Sequence, residues 1–136
     1  MKEKIRTLQT IHLAICAGLS IAYFVIGQPY EGHLKMPILD SSSIVYLIIP
    51  IAGFIASSYM FKLQLKKVDR DLKPEENLPI YQTASIIRWG ILELATFVLL
   101  FLRPDFFLFG IVLIVYLISL RPTEEKITND IKSATR

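Results

Sequence analysis

An all-α membrane protein with four transmembrane helices is the fold class that the sequence predicts, with both termini in the cytoplasm and a duplicated helical hairpin as its plan. Three observations lead there. Four stretches are almost free of charge: Ile11–Ile26, Ile44–Phe61, Ile80–Leu102 (which carries Arg88 and Glu93) and Phe106–Leu120. The basic residues cluster at one end of these stretches. The two halves of the chain also resemble each other. The expected division of the 136 residues is a single transmembrane domain, with hairpin one over 7–63, a charged cytoplasmic loop over 64–79, hairpin two over 80–120 and a cytoplasmic tail over 121–136.

Crossing the hydrocarbon takes roughly 17–25 helical residues. The first and last runs are short, but Leu8–Gln28 and Pro104–Leu120 reach that length if flanking residues snorkel. Only helices and closed barrels satisfy their backbone inside lipid, and continuous rather than alternating apolar runs exclude the barrel. The formal charge of +3 does not mark a nucleic-acid binder, because its placement is that of topology signals. Lys2, Lys4 and Arg6 precede span one; Lys62, Lys66, Lys67, Arg70 and Lys73 follow span two; Arg121, Lys126, Lys132 and Arg136 follow span four. The other two connections hold only Lys35 and Arg103, so the positive-inside rule puts both termini and the middle loop inside.

Taken in order, span one is expected over 7–27 and a polar loop over 28–43. Span two follows over 44–63, with Pro50 predicted to kink it. Span three is expected over 80–102, and Arg103-Pro104-Asp105 reads as a tight turn into span four. Thr123 before Glu124 and Glu125 reads as a helix N-cap, and Ile127 with Ile131 as one face of a tail helix lying on the membrane surface. Cys16 is the only cysteine, which excludes an internal disulfide. Ile15 before it spoils a lipoprotein cleavage box, and no small-x-small site follows the first apolar run, so span one is read as retained.

The repeat aligns residues 8–27 with 81–100. Gln9 meets Gln82, Thr10 meets Thr83, Leu19 meets Leu92, Ala22 meets Ala95 and Phe24 meets Phe97. Val68-Asp69-Arg70-Asp71-Leu72-Lys73 resembles Ile127-Thr128-Asn129-Asp130-Ile131-Lys132. The aligned helices share a polar stripe at steps of three and four: Gln9, His12, Cys16, Ser20 and Tyr23 on one, Gln82, Ser85, Trp89, Glu93 and Thr96 on the other. Both stripes are expected to turn away from lipid. A small-residue face, Ala14, Gly18 and Ala22, is expected to pack on Gly53 and Ser57 of span two, because small residues let helix backbones approach. The aromatic and aliphatic side chains of span four, Phe106, Phe107, Phe109 and Leu113 among them, are expected to face lipid or a partner.

Glu93 is the sharpest candidate. A charged carboxylate near the bilayer midplane costs about 2.5–3.5 kcal/mol on insertion scales. With Ser20 and Thr96 it reads as a proton or cation site, or as a polar lock between subunits; the plainer reading is an acid hydrogen-bonded to a neighbouring helix. Arg88 reads as snorkelling to headgroups or, with Lys66 and Lys67, as a contact for an anionic lipid or a partner. His12 reads as a satisfied interfacial histidine and Trp89 as packing. No phosphate loop, zinc motif or nucleophile–base pair is present, so neither an enzyme nor a cofactor nor a metal is expected. The expected partners are the bilayer and either further copies or another membrane subunit. The leading expectation is a subunit or assembly element of a complex, and the alternative is a translocation component using Glu93.

The run Tyr81-Gln82-Thr83-Ala84-Ser85-Ile86-Ile87-Arg88-Trp89-Gly90-Ile91-Leu92-Glu93, with Leu120-Arg121-Pro122-Thr123 after span four, resembles a family of small uncharacterised bacterial membrane proteins. That resemblance implies four spans in the inner membrane and brings no activity. Glu93 on a duplicated hairpin is also similar in architecture to rotary-ATPase proteolipids, although here the acid lies on the first helix of its hairpin and no glycine-rich packing helix accompanies it.

Overall fold

The computed structural model describes residues 2–27, 40–102 and 106–134. The polar loop with His33 and Lys35, the Arg103-Pro104-Asp105 turn and Arg136 lie outside the described residues. The described part is α-helical: α1 (Lys2–Gly27), a 3₁₀ turn (Ile44–Leu47) running into α2 (Ile48–Leu65), α3 (Pro74–Leu102), α4 (Phe107–Ser119) and α5 (Glu124–Ala134). Three helices are long and apolar enough to cross a membrane, Lys2–Ile26, Ile44–Leu65 and Leu78–Leu102. A fourth arises only if α4 and α5, which meet at 90°, are counted together. Alone, the 13 residues of α4 extend about 20 Å, short of a hydrocarbon core of roughly 30 Å.

α1 starts ahead of the expected Thr7 because no proline or glycine interrupts its first turns. Ile5, Leu8, His12, Cys16, Leu19 and Tyr23 recur every three or four residues and form its buried face. Before α2, the Asp40 carboxylate accepts hydrogen bonds from the Ser42 N–H (3.0 Å), the Ser42 hydroxyl (2.7 Å) and the Ser43 N–H (2.8 Å). These bonds from Ser42 and Ser43 hold its carboxyl below the usual range, at about 2. Pro50 is the third residue of α2, just after the 3₁₀ turn passes into α geometry, so it stands near the start of the span rather than in its middle.

The loop expected over 64–79 is shorter, because α3 begins at Pro74. Proline suits the first helical position, Glu75 and Glu76 favour the N-terminal end of the helix, and the Lys73 N–H donates back to Glu76 Oε2 at 2.9 Å. Fully buried Asn77 ties the turn together. Its Nδ2 donates to Asp69 O (2.9 Å) and its Oδ1 accepts from the Asp69 N–H (3.1 Å).

α3 is the central element and packs on all four others. Its most extensive contact is with α2, while α1 lies against α3 and α4. The expected approach of span one to span two is therefore replaced by α2 on α3. The core is built around Trp89, Tyr81, Leu92, Leu99 and Thr96 of α3, with Leu8 and Leu19 of α1 and Leu117 of α4. Two further expectations are corrected by burial. Phe106, Phe107 and Leu113 turn inward rather than toward lipid, because α4 packs on both α3 and α1, with Phe107 against Tyr23 and Phe106 against Tyr46. Ile127 and Ile131 of α5 are buried against the helical body instead of lying on a surface, and Tyr81 donates to Asp130 Oδ2 at 3.0 Å to hold that helix in place. The expected cap is formed: Thr123 Oγ1 accepts from the Lys126 N–H at 3.2 Å.

Candidate functional site

The two polar stripes meet where α1 crosses α3. His12 and Trp89 rings lie 4.8 Å apart at an interplanar angle of 57°. His12 Nε2 donates to Leu117 O at 2.7 Å, so the histidine is satisfied by the α4 backbone, and the Cys16 thiol lies 3.6 Å from the same nitrogen. Tyr23 donates to Thr96 O at 2.6 Å, and Gln9 Nε2 reaches Pro122 O at 2.7 Å. Ser85 Oγ and Trp89 Nε1 are buried without a hydrogen-bond partner. No cluster of metal-ligating side chains occurs among the described residues.

The expected Glu93–Ser20–Thr96 grouping is not assembled within the chain. Thr96 Oγ1 donates to the main-chain oxygen of Glu93 at 2.7 Å, not to its carboxyl. Ser20 is exposed and lines a cavity of about 560 Å³ that Arg6, His12 and Arg121 also border. The Glu93 carboxyl is half-buried and has no hydrogen-bond or ion-pair partner among the described residues.

The expected packing residues are also rearranged. Ala14 and Gly18 are exposed and Ala22 is half-buried; a Cβ at Gly18 would meet nothing within 4 Å. Gly53 instead presses on α3, where an added Cβ would lie 2.6 Å from Ala95 Cβ. Ser57 is fully buried and its hydroxyl returns to Phe54 O at 3.0 Å. Gly110 of α4 makes the other close approach, since a Cβ there would run into the Tyr23 ring, 2.6 Å from Cε1 and Cζ.

Arg88 and Lys66 do come together, in a cavity of about 450 Å³ between the end of α2, the middle of α3 and α5. Lys67 does not join them. It is exposed, and its Nζ donates to Gln64 Oε1 at 3.1 Å. The cavity adds Lys62, Phe61, Ser58 and Asp130, none of which the sequence singled out for this role. Ser58, Lys62 and Lys66 share one face at four-residue spacing, which was a legible signal. The arrival of Asp130 from the tail helix was not. The Arg88 guanidinium carbon sits 3.6 Å from the centroid of the Phe61 ring, a cation–π contact. Its Nε is buried and unpaired. This end of the bundle is therefore an anion-attracting pocket: three cations line it against one carboxylate. No protein-family model matches the chain, nor does any curated protein or solved structure.

Proposed function

We propose that the chain is a four-span integral protein of a bacterial inner membrane, with both termini cytoplasmic, that acts without catalysis as an assembly element in a homo-oligomer or larger membrane complex. The carrying observation is Glu93. Its carboxyl lies within the apolar segment Leu78–Leu102 yet has no partner among the described residues. An ionisable group at membrane depth stays there at acceptable cost when a neighbouring helix supplies a hydrogen bond or a counter-charge. A second copy or another subunit is the source of that partner. The exposed apolar side chains of α1, α2 and α4, such as Leu13, Ile21, Ile48, Ile55 and Val112, suit lipid.

The repeat accords with this reading only in part. Exchanging the halves carries the α1–α4 contact onto α3–α2, and both pairs pack, but it also carries the packed α3–α4 pair onto α1–α2, which makes no comparable contact. The first two pairs each contain a close glycine. Gly53 meets Ala95, which aligns with Ala22, and Gly110 meets Tyr23, which aligns with the adjacent Thr96. Orientation is tested with single cysteines in a Cys16→Ser background. Ser42→Cys is expected to react with an impermeant maleimide in intact cells, and Lys67→Cys only after permeabilisation. Labelling of Lys67→Cys from outside refutes the topology.

Assembly is tested by native mass spectrometry of the complex released from its own membranes. Glu93→Gln keeps a neutral hydrogen-bonding group and is expected to preserve the mass of the complex, whereas Glu93→Leu is expected to reduce it to monomer. A complex that survives Glu93→Leu unchanged removes the assembly role. The unpaired carboxyl also supports a second reading, a proton- or cation-linked translocation component. Loss of cation-dependent activity in Glu93→Gln with the complex intact would favour it, because the amide cannot ionise.

A further inference from the structure

We infer that the cavity beside Arg88 binds the phosphate group of an anionic phospholipid. This site is separate from Glu93 and stands on different residues. Arg88 supplies a planar guanidinium whose direction is set by the Phe61 ring, 3.6 Å from its centroid. One face is thus taken, and the guanidinium, which the Tyr81 hydroxyl shares, offers its other N–H donors in the geometry by which arginine binds phosphate. The Arg88 side chain itself borders the cavity. Lys62 and Lys66, one helical turn apart and exposed, stand at the mouth as further positive charge. Asp130 is the one opposing carboxylate, and its Oδ2 accepts from the Tyr81 hydroxyl at 3.0 Å. The volume of about 450 Å³ falls within the roughly 300–1,000 Å³ of small-ligand sites.

Lipid is favoured over a soluble phosphate by the depth and the walls. Arg88 stacks on Phe61, four residues before the end of α2 at Leu65, about 6 Å along that helix at 1.5 Å per residue. Phe61, Leu65 and Ala134 give the cavity an apolar side. A phosphodiester approached from the bilayer meets arginine below and lysines at headgroup level, with apolar wall for the glycerol ester region. Basic pockets between helices at the positive end of a membrane protein recognise headgroups in this way.

The test uses the full chain in phosphatidylcholine nanodiscs titrated with phosphatidylglycerol, with retained lipid counted by native mass spectrometry. The wild-type protein is expected to retain phosphatidylglycerol in preference to phosphatidylcholine. Losing a charge-assisted bond in Arg88→Gln is expected to weaken that retention about tenfold. The double variant Lys62→Gln/Lys66→Gln, at exposed positions outside the core, is expected to weaken it by a similar factor, so a folding defect at Arg88 cannot imitate the result. Lys67→Gln leaves retention unchanged. Equal retention of the two lipids, or indifference to both charge-removing changes, overturns the site. Inorganic phosphate that binds alone, depends on Arg88 and displaces phosphatidylglycerol overturns the lipid source and assigns the pocket to a soluble phosphate.

Discussion

Gly53→Leu is expected to unfold in detergent at markedly lower denaturant than the wild-type protein, while Gly18→Leu unfolds with it. The sequence points the other way, since Gly18 sits in the more regular small-residue pattern, Ala14, Gly18 and Ala22. The geometry reverses the order. A Cβ at residue 53 would lie 2.6 Å from Ala95 Cβ, an atom fixed directly to the α3 backbone that cannot swing aside. Accommodating leucine therefore means separating α2 from α3, the most extensive helix contact in the structure. Overpacking of a close-packed site costs about 1–3 kcal/mol, and the upper end applies here because the neighbour is rigid. At residue 18 a Cβ meets nothing within 4 Å. A side chain added there enters open space, and a change within about 0.5 kcal/mol is expected for the isolated chain. Equal loss from both variants, measured by circular dichroism during a dodecyl sulfate titration, would mean that α1 and not α3 lies against Gly53.

Periodicity and charge made part of this fold legible. Apolar runs with few charges located α1, α2 and α3, and the three- and four-residue steps placed His12, Cys16, Tyr23, Ser85, Trp89 and Thr96 on inward faces. What they could not give was which helix each face meets. Small residues report that a backbone can come close, not to what, so Gly53 was recognised as a packing residue and assigned to the wrong neighbour. Helix α4 misled for a related reason. An unbroken apolar run carries no contrast between its faces, and burial of Phe106, Phe107 and Leu113 depends on which helices lie opposite, here α3 and α1. The start of α3 is hidden in the sequence because a charged segment with two prolines reads as loop, whereas Pro74 and Glu76 act as helix-start residues. At the Arg88 cavity, Lys66 was anticipated from charge alone. Asp130 could not be, because a long-range contact from the tail leaves no local trace.

Trp89→Ala is expected to be the most damaging single substitution in the chain. The indole is fully buried at the crossing of α1 and α3, with the His12 ring 4.8 Å away. Within lipid, helix association rests on packing more than on escape from water, so an unfilled volume between helices is felt directly. Truncating a buried tryptophan to alanine costs about 3–5 kcal/mol in close-packed interiors. Trp89→Phe separates size from chemistry. Phenylalanine keeps a ring against His12 and also removes the indole N–H, which is buried without a partner. An unsatisfied buried donor carries a penalty of about 1–3 kcal/mol, so its removal offsets part of the lost volume. Trp89→Phe is therefore expected to lose less than half as much stability as Trp89→Ala. Because the chain has one tryptophan, its emission also reports the site directly. The folded wild-type protein is expected to emit to the blue of an exposed indole and to shift red in step with loss of helix as dodecyl sulfate is added. Circular dichroism then ranks the two variants on the same titration. A Trp89→Ala protein as stable as wild type, together with wild-type emission quenched by lipid-soluble bromine probes, would place the indole against lipid and dissolve the α1–α3 crossing.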